Sequence, residues 1–230
     1  MLSDNLSLYR DAENNLKDHL HTNEQDRDFS WDEKFFKLLS LSRLSLISME
    51  PQQGPDHWPY IFATTSTDQK AFQVDSAQKV LRWLSEKGIG LVINPDRQPY
   101  PDFVFSFGMI WYFRETGFFM NPPQKSPANT TLAPNAENQW FTGAPSEKYL
   151  PNYVRQVLKN FFADQMKHNV KVMMLSADQK NYDLAISIES LGNPPQMEHA
   201  QIAEALAWFL PPHYTVALVS EAGFPTFAEL

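Results

Sequence analysis

The chain has 230 residues, of which 43% are hydrophobic and 13% aromatic, and its formal net charge is −8 at pH 7. This apolar fraction is ample for a buried core and excludes wholesale disorder. The negative charge would repel a phosphate backbone, so we expect neither nucleic-acid binding nor attraction to an anionic membrane. Cysteine is absent, which excludes disulfides, thiolate nucleophiles and cysteine-ligated metal sites.

The N-terminus, MLSDNLSLYRDAENN, is polar and acidic, whereas a signal peptide needs a cationic start and an apolar run. No uninterrupted apolar stretch of about 18 residues, the length that a membrane span needs, occurs anywhere in the sequence. The sequence therefore predicts a cytoplasmic protein that does not enter a membrane.

The first third of the chain predicts two helices and a strand. Residues 1–20 carry leucines and a tyrosine at helical spacing, which indicates an amphipathic helix. Ser30 and Glu33 stand three apart before an apolar run, which predicts a capping box and a second helix. Residues 41–49 then alternate apolar and polar side chains, the period of a strand.

The next segment predicts two further helices between short strands. Strands are expected at 60–64, at 90–96 running into a proline turn, and at 103–105. Asp75 or Ser76 is expected to cap one helix, which Gly88 ends. Ser106 is expected to cap the other, which Gly117 ends.

Residues 121–148 hold many prolines and asparagines and almost no periodic apolar pattern, so they predict an interdomain linker. Within it, Trp140 and Phe141 are expected to dock on a neighbouring surface. Beyond it the order is helix, strand, strand, helix, strand, with the strand pair expected as an antiparallel hairpin covered on one side.

These elements together predict an α+β fold of two small domains, each a short mixed or antiparallel sheet packed with helices. The expected boundaries are an N-terminal domain at 1–120, the linker at 121–148 and a C-terminal domain at 149–230.

The sequence carries no specific catalytic or cofactor motif. Gly88-Ile89-Gly90 lacks the third glycine of a dinucleotide cradle, and no Walker loop, G-x-S-x-G elbow or H-E-x-x-H pair occurs. The six histidines are scattered, so we expect no metal and no cofactor. A rival hypothesis is a small hydrolase or transferase with acid–base chemistry near Asp96, Asp102 and His57.

Aromatic residues are unusually dense between positions 103 and 119. One strand–helix unit cannot easily bury so many rings on one face, and exposed rings beside an arginine have the composition of an interface hot spot. The alternative is a large aromatic core shared with the first helix or the linker. On the first interpretation, the residues that bind a partner are Phe107, Trp111, Arg114, Phe118 and Phe119.

Three features of the sequence occur in a recognisable order: Phe35-Phe36-Lys37-Leu38-Leu39 leading into a strand, Leu91-Val92-Ile93-Asn94-Pro95, and the helix and strand order from Pro151 onwards. In these features the chain resembles the SseB-type (enhanced serine sensitivity) family. The chain departs from the family pattern at Asp96-Arg97, where a glycine-rich turn is expected, and in its long proline-rich linker. The resemblance implies a non-enzymatic protein and no catalytic residues.

The leading hypothesis is therefore a non-enzymatic binding or regulatory protein whose partner is another protein. A third hypothesis is a chaperone or immunity-type protein, whose acidic surface suits a basic client. The sequence does not identify the partner or the oligomeric state.

Overall fold

The computed structural model describes residues 2–66, 71–119, 133–134, 140–224 and 227–230. The fold is α+β, as predicted, and both of its sheets are mixed. Contacts between residues divide the chain into two compact units, Met1–Phe119 and Met120–Leu230.

The first unit begins with two helices. These are α1 (Leu2–Leu20) and α2 (Phe29–Ser40), which pack against each other. The capping box expected at Ser30 and Glu33 is wrong, because α2 starts earlier: an oxygen of the Asp28 carboxylate accepts the Trp31 amide at 2.9 Å. A carboxylate is favoured at this end because the helix dipole is positive there.

The remaining elements of the first unit build a sheet with two more helices. The strands are β1 (Arg43–Leu46), β2 (Gln52–Gln53), β3 (Pro59–Thr64), β4 (Gln73–Ser76), β5 (Gly90–Ile93) and β6 (Phe103–Phe105), and the helices are α3 (Ala77–Leu84) and α4 (Phe107–Thr116). The sheet order is β4-β1-β3-β5-β6, with β2 beside β3, and the β3–β5 pair is parallel.

The caps expected for α3 and α4 are largely confirmed. The hydroxyl oxygens of Ser76 and Ser106 accept amides three residues on, and Gly117 ends α4 with a φ of 78°. Glycine suits that left-handed conformation because it has no Cβ. Gly88 does not end α3, whose last helical residue is Leu84; its φ of 69° belongs to the turn that follows.

The second unit is a sheet with two helices. Its elements are β7 (Ala133–Pro134), β8 (Phe141–Gly143), α5 (Asn152–Asp164), β9 (Lys171–Ser176), β10 (Asp183–Ser187), α6 (His199–Ala207), β11 (Thr215–Val219) and β12 (Ala228–Glu229). The sheet order is β11-β10-β9-β8-β7, with β12 beside β9, and β10–β11 is the one parallel pair among the described strands. The predicted hairpin is therefore present as β9 and β10.

Two expectations for this unit need correction. Phe141–Gly143, placed in the linker by the sequence, is a strand that pairs with β9; residues 121–132 and 135–139 of that segment lie outside the described residues. The hairpin is also covered on both sides rather than one: Met173, Leu175 and Ala185 of one face pack against Trp140, Val219, Phe224 and Phe227, while the alternate residues of β9 and β10 are buried as well.

Candidate protein-binding face

Most of the expected partner-binding residues lie in the core of the first unit. Phe107 and Trp111 are fully buried and Phe119 is 2% exposed, so the expected exposure of these rings is wrong. The reason is that α4 is buried on nearly all sides from Phe107 to Tyr112, as expected of a helix that is apolar all round.

Phe103, Phe105 and Phe119 pack against α2, so these rings belong to an aromatic core. The helix that shares this core is the second one, whereas the alternative expectation named the first helix or the linker. Phe119 lies 4.8 Å from both Phe36 and Phe105, centroid to centroid. Phe35 lies 5.2 Å from Phe103 in the same cluster. Such pairs stabilise a core beyond the area they bury.

The other two expected residues stand nearer the surface. Phe118 is 62% exposed and follows the left-handed Gly117. The Arg114 guanidinium donates to the Glu86 carboxylate at 2.9 Å and to the Ser85 hydroxyl at 3.1 Å. Of the predicted anchors, Phe118 alone presents an open ring.

A different surface of the first unit carries exposed apolar side chains in an ordered arrangement. Phe62 pairs with Val92, and Val92 pairs with Val104. The Ile47 amide donates to the Phe62 carbonyl at 2.9 Å, which extends the β1–β3 pairing by one residue. The Phe72 amide donates to the Leu46 carbonyl at 2.9 Å, which extends the β1–β4 pairing in the same way. Cross-strand partners share a face. The result is an apolar row across five neighbouring segments: Phe72, Ile47, Phe62, Val92 and Val104.

The row lies on the face of the sheet opposite α2. Side chains alternate along a strand, so Val104 points away from its neighbours Phe103 and Phe105. Both of those rings contact Phe35 of α2, at 5.2 and 6.3 Å. We call the opposite side, which carries the apolar row, the outer face.

The row is exposed at both ends and closed in the middle. Phe72 is 67% exposed, while Ile47 and Val104 are each 42% exposed. Val92 is buried at the centre. Val74, Ser45 and Thr64 form the next row of the same face, and none of them carries a charge. The outer face thus presents apolar and hydroxyl groups without a formal charge in either row.

Tyr60 closes one border of the outer face. Its ring lies over Gly90, where a Cβ would come within 2.4 Å of the ring, so this close approach requires glycine. The Tyr60 hydroxyl donates to the Asp56 carboxylate at 2.5 Å. The segment after β2 therefore holds this tyrosine in place and limits the apolar row on that side.

The row could be anticipated only in part from the sequence. Alternation in residues 41–49 placed Leu44 and Leu46 on one face and therefore Ile47 on the other. The polar sequence of β4 gave no strand signal, so Phe72 had no assigned partner. A row across five segments depends on strand order, which local periodicity does not encode.

Asp102, which the rival hypothesis placed in an acid–base site, belongs to a cluster of ion pairs and hydrogen bonds. Arg27 donates to one oxygen of the buried Asp102 carboxylate at 3.0 Å, and Arg97 forms an ion pair with the same oxygen. Asn94 donates to the other oxygen at 2.8 Å. Both oxygens are therefore engaged, while Asp96 is exposed to solvent.

A serine, a lysine and a glutamate also meet in the second unit. Ser187 and Lys171 donate to the two oxygens of Glu221, at 2.6 and 2.8 Å, and these hydrogen bonds, that of Lys171 first, lower the pKa of the Glu221 carboxyl. The Ser187 side chain is fully buried, so no substrate carbonyl can reach its hydroxyl. The network fastens the segment after β11 to the sheet.

Within the described ranges, no three histidine, aspartate or glutamate side chains are grouped so that they could hold a metal ion. None of the helices in the same ranges combines the length and apolar character that crossing a bilayer requires. Neither a protein-family model, nor a curated protein, nor a solved structure matches the chain.

Proposed function

We propose that the chain is a non-enzymatic protein that binds another protein through the outer face of its first unit. The observation that carries the proposal is the apolar row with Phe72, Ile47 and Val104 exposed. Monomeric proteins rarely leave contiguous apolar patches of more than a few hundred Å² open to water, and the largest ones often serve binding.

The geometry of the row sets the size of the partner's contact. Neighbouring strands lie about 4.8 Å apart, so a row across five segments spans roughly 19 Å. A partner segment that presents apolar side chains over this length could bury the two exposed ends and the centre together. Fully desolvated apolar contacts of this kind supply most of the energy of an interface.

Charge favours a basic partner. The chain carries a net charge of −8, whereas the two rows of the outer face carry no charge. A partner with an uncharged apolar centre and basic flanks would be steered by the overall field and would desolvate no ion at the contact. The SseB-type resemblance and a cytoplasmic location belong to the same proposal, and both agree with a binding role.

The test places a photo-crosslinking amino acid at position 72 or, as a matched control, at position 118, which also holds an exposed phenylalanine. A protein crosslinked from position 72 and not from position 118 is then identified and purified. We expect Ile47→Ser with Phe72→Ser to weaken its binding at least tenfold, about 1.4 kcal/mol, with an unchanged melting temperature.

Phe118→Ser is the control variant and should bind the purified partner like the parent chain. Equal binding by the outer-face variant and the parent would overturn the proposal. So would identical crosslinked products from positions 72 and 118.

A further inference from the structure

A groove between α3 and α4 concentrates positive charge on an otherwise acidic chain. Its volume is about 480 Å³, within the usual range of small-molecule sites. Lys79, Arg82 and Arg114 line it, and no aspartate or glutamate among the described residues does. The remaining lining residues are Ser76, Gln78, Phe113 and Gly117. This cationic groove is distinct from the residues of the outer-face row.

The three cations converge because of helix geometry. Lys79 and Arg82 are three residues apart on α3, so they lie on the same side of that helix. Arg114 comes from α4, which packs against α3. An anion between the two helices would therefore meet cations from both walls.

Two of the three cations have a carboxylate partner. Lys79 pairs with Asp75 at 2.8 Å, and Arg114 pairs with Glu86 at 2.9 Å. In the part of the chain that the structure describes, Arg82 has neither an ion pair nor a side-chain hydrogen bond. The Arg114 side chain is 27% exposed, so it is restrained and loses less side-chain entropy when a ligand binds, whereas the Lys79 side chain is 70% exposed.

The groove also has an apolar wall and an open side. The Phe113 ring stacks on Phe119 with centroids 4.3 Å apart and an angle of 14°, which fixes its orientation. At Gly117 a Cβ would meet nothing within 4 Å, so the groove is open there. A ring carried by a ligand could reach the Phe113 side chain while its anionic end meets the cations.

We infer that this groove binds a small phosphate monoester whose organic part is apolar or aromatic. Arginine suits the phosphate because its planar guanidinium donates two parallel hydrogen bonds to phosphate oxygens, and lysine adds a point charge. The inference is independent of the proposed protein-binding function.

A second groove, in the other unit, supplies a matched control. It has a volume of about 300 Å³, and its lining includes Lys159 and Lys167 but also the carboxylate of Glu229. A carboxylate in the lining opposes an anion. The two grooves therefore compare cations in a lining without a carboxylate residue, among the described residues, with cations in a lining that contains one. In the first groove, Asp75 and Glu86 pair with Lys79 and Arg114 from outside the lining.

The experiment is a titration of the full chain, followed by NMR of backbone amides, with inorganic phosphate or phenyl phosphate replacing chloride at constant ionic strength. We expect saturating shifts confined to residues 76–82 and 113–117, with a Kd of about 1 mM for phosphate. Phenyl phosphate should bind at least about threefold more tightly through the Phe113 wall.

Arg82→Gln and Lys79→Gln together should weaken phosphate binding about tenfold, whereas Lys159→Gln with Lys167→Gln should change it less than about twofold. Arg82→Gln alone, which leaves the Lys79–Asp75 pair intact, should give an intermediate loss. Shifts that do not saturate, or equal losses in the two double variants, would overturn the inference. Equal affinity for the two probes would refute the role of Phe113.

Discussion

The two units treat the second face of their sheets differently. In the second unit, Met173, Leu175 and Ala185 are covered by Trp140, Phe224 and Phe227, which come from segments before and after the strands. In the first unit, the outer face keeps Phe72 at 67% and Ile47 at 42% exposure. One sheet is closed by its own chain and the other leaves part of its apolar surface open.

The difference teaches where an interaction surface is to be sought. Aromatic density alone predicted a binding surface at residues 103–119, yet most of the rings in that segment are buried in the core of the first unit. The open surface lies where strand order brings residues from five segments together. Exposure of an aligned row, rather than the local number of rings, distinguishes a binding face from a core.

The first prediction, with the largest expected effect, tests whether the rings of α4 lie in the core of the first unit. Trp111→Ala should cost about 3–5 kcal/mol of unfolding free energy, because a fully buried indole leaves a cavity that the helix cannot fill. Phe118→Ala, at a ring 62% exposed, should change it by less than about 0.5 kcal/mol. Denaturant unfolding measures both changes in unfolding free energy. If both were small, Trp111 would lie at the surface and not in the core.

The second prediction compares the cover of one sheet with the open row of the other. Trp140→Ala should destabilise the second unit by about 1–3 kcal/mol, since it removes a ring packed on Met173, Leu175 and Ala185. Phe72→Ala should leave the first unit within about 0.5 kcal/mol of the parent chain. Hydrogen exchange of β9 and β3 amides reports the two units separately.

A loss on Phe72→Ala as large as that on Trp140→Ala would show that Phe72 is also part of a closed core. The proposed binding face would then lose its most exposed member.

The sequence predicted the elements better than their assembly. Serine caps at Ser76 and Ser106 and the left-handed Gly117 are local features with local chemistry, and they are present as expected. The strand at Phe141–Gly143 was missed because its pairing partner lies some thirty residues on, at β9. Short strands draw their stability from such distant partners.

The site was harder to predict for the same reason. The burial of Phe119 depends on α2, whose Phe36 ring lies 4.8 Å from the Phe119 ring, centroid to centroid. The sequence left open whether such a shared core existed. The cationic groove needs the packing of α3 on α4, which no spacing along the chain between Arg82 and Arg114 reveals.

The third prediction concerns the pH dependence of stability, which we expect to differ between the two units. Burial lowers the pKa of His213, in the second unit, from 6.5 to about 4. The unfolded chain therefore takes up this proton first, so stability is full above pH 6.5 and is lost as the pH falls from 6.5 towards 4. Because the imidazole is only partly buried, we expect a loss of about 1–2 kcal/mol rather than the full value.

His213→Gln should remove that part of the pH dependence. The measurement is hydrogen exchange of β10 and β11 amides between pH 7 and 4.5 in both proteins. Parallel pH profiles for the variant and the parent would show that another group carries the acid sensitivity of the second unit.

The smallest effect is expected at Ser45, which is compared with Ser187; both serines are buried and lie on the second faces of their sheets. The Ser187 hydroxyl donates to Glu221 at 2.6 Å and accepts the Ser190 amide at 2.9 Å, so Ser187→Ala should cost about 1–2 kcal/mol. The Ser45 hydroxyl, on the outer face, has no hydrogen-bond partner in the described part of the chain. Ser45→Ala should therefore raise stability by up to about 1 kcal/mol, because a buried hydroxyl without a partner is costly.

Denaturant unfolding of the two alanine variants checks the signs. Opposite signs would mean that the Ser187 hydroxyl is satisfied by hydrogen bonds within its sheet, whereas the Ser45 hydroxyl is buried without a partner. If Ser45→Ala destabilised the first unit as much as Ser187→Ala destabilises the second, the Ser45 hydroxyl would have a hydrogen-bond partner in solution, and the two sheets would not differ in this respect.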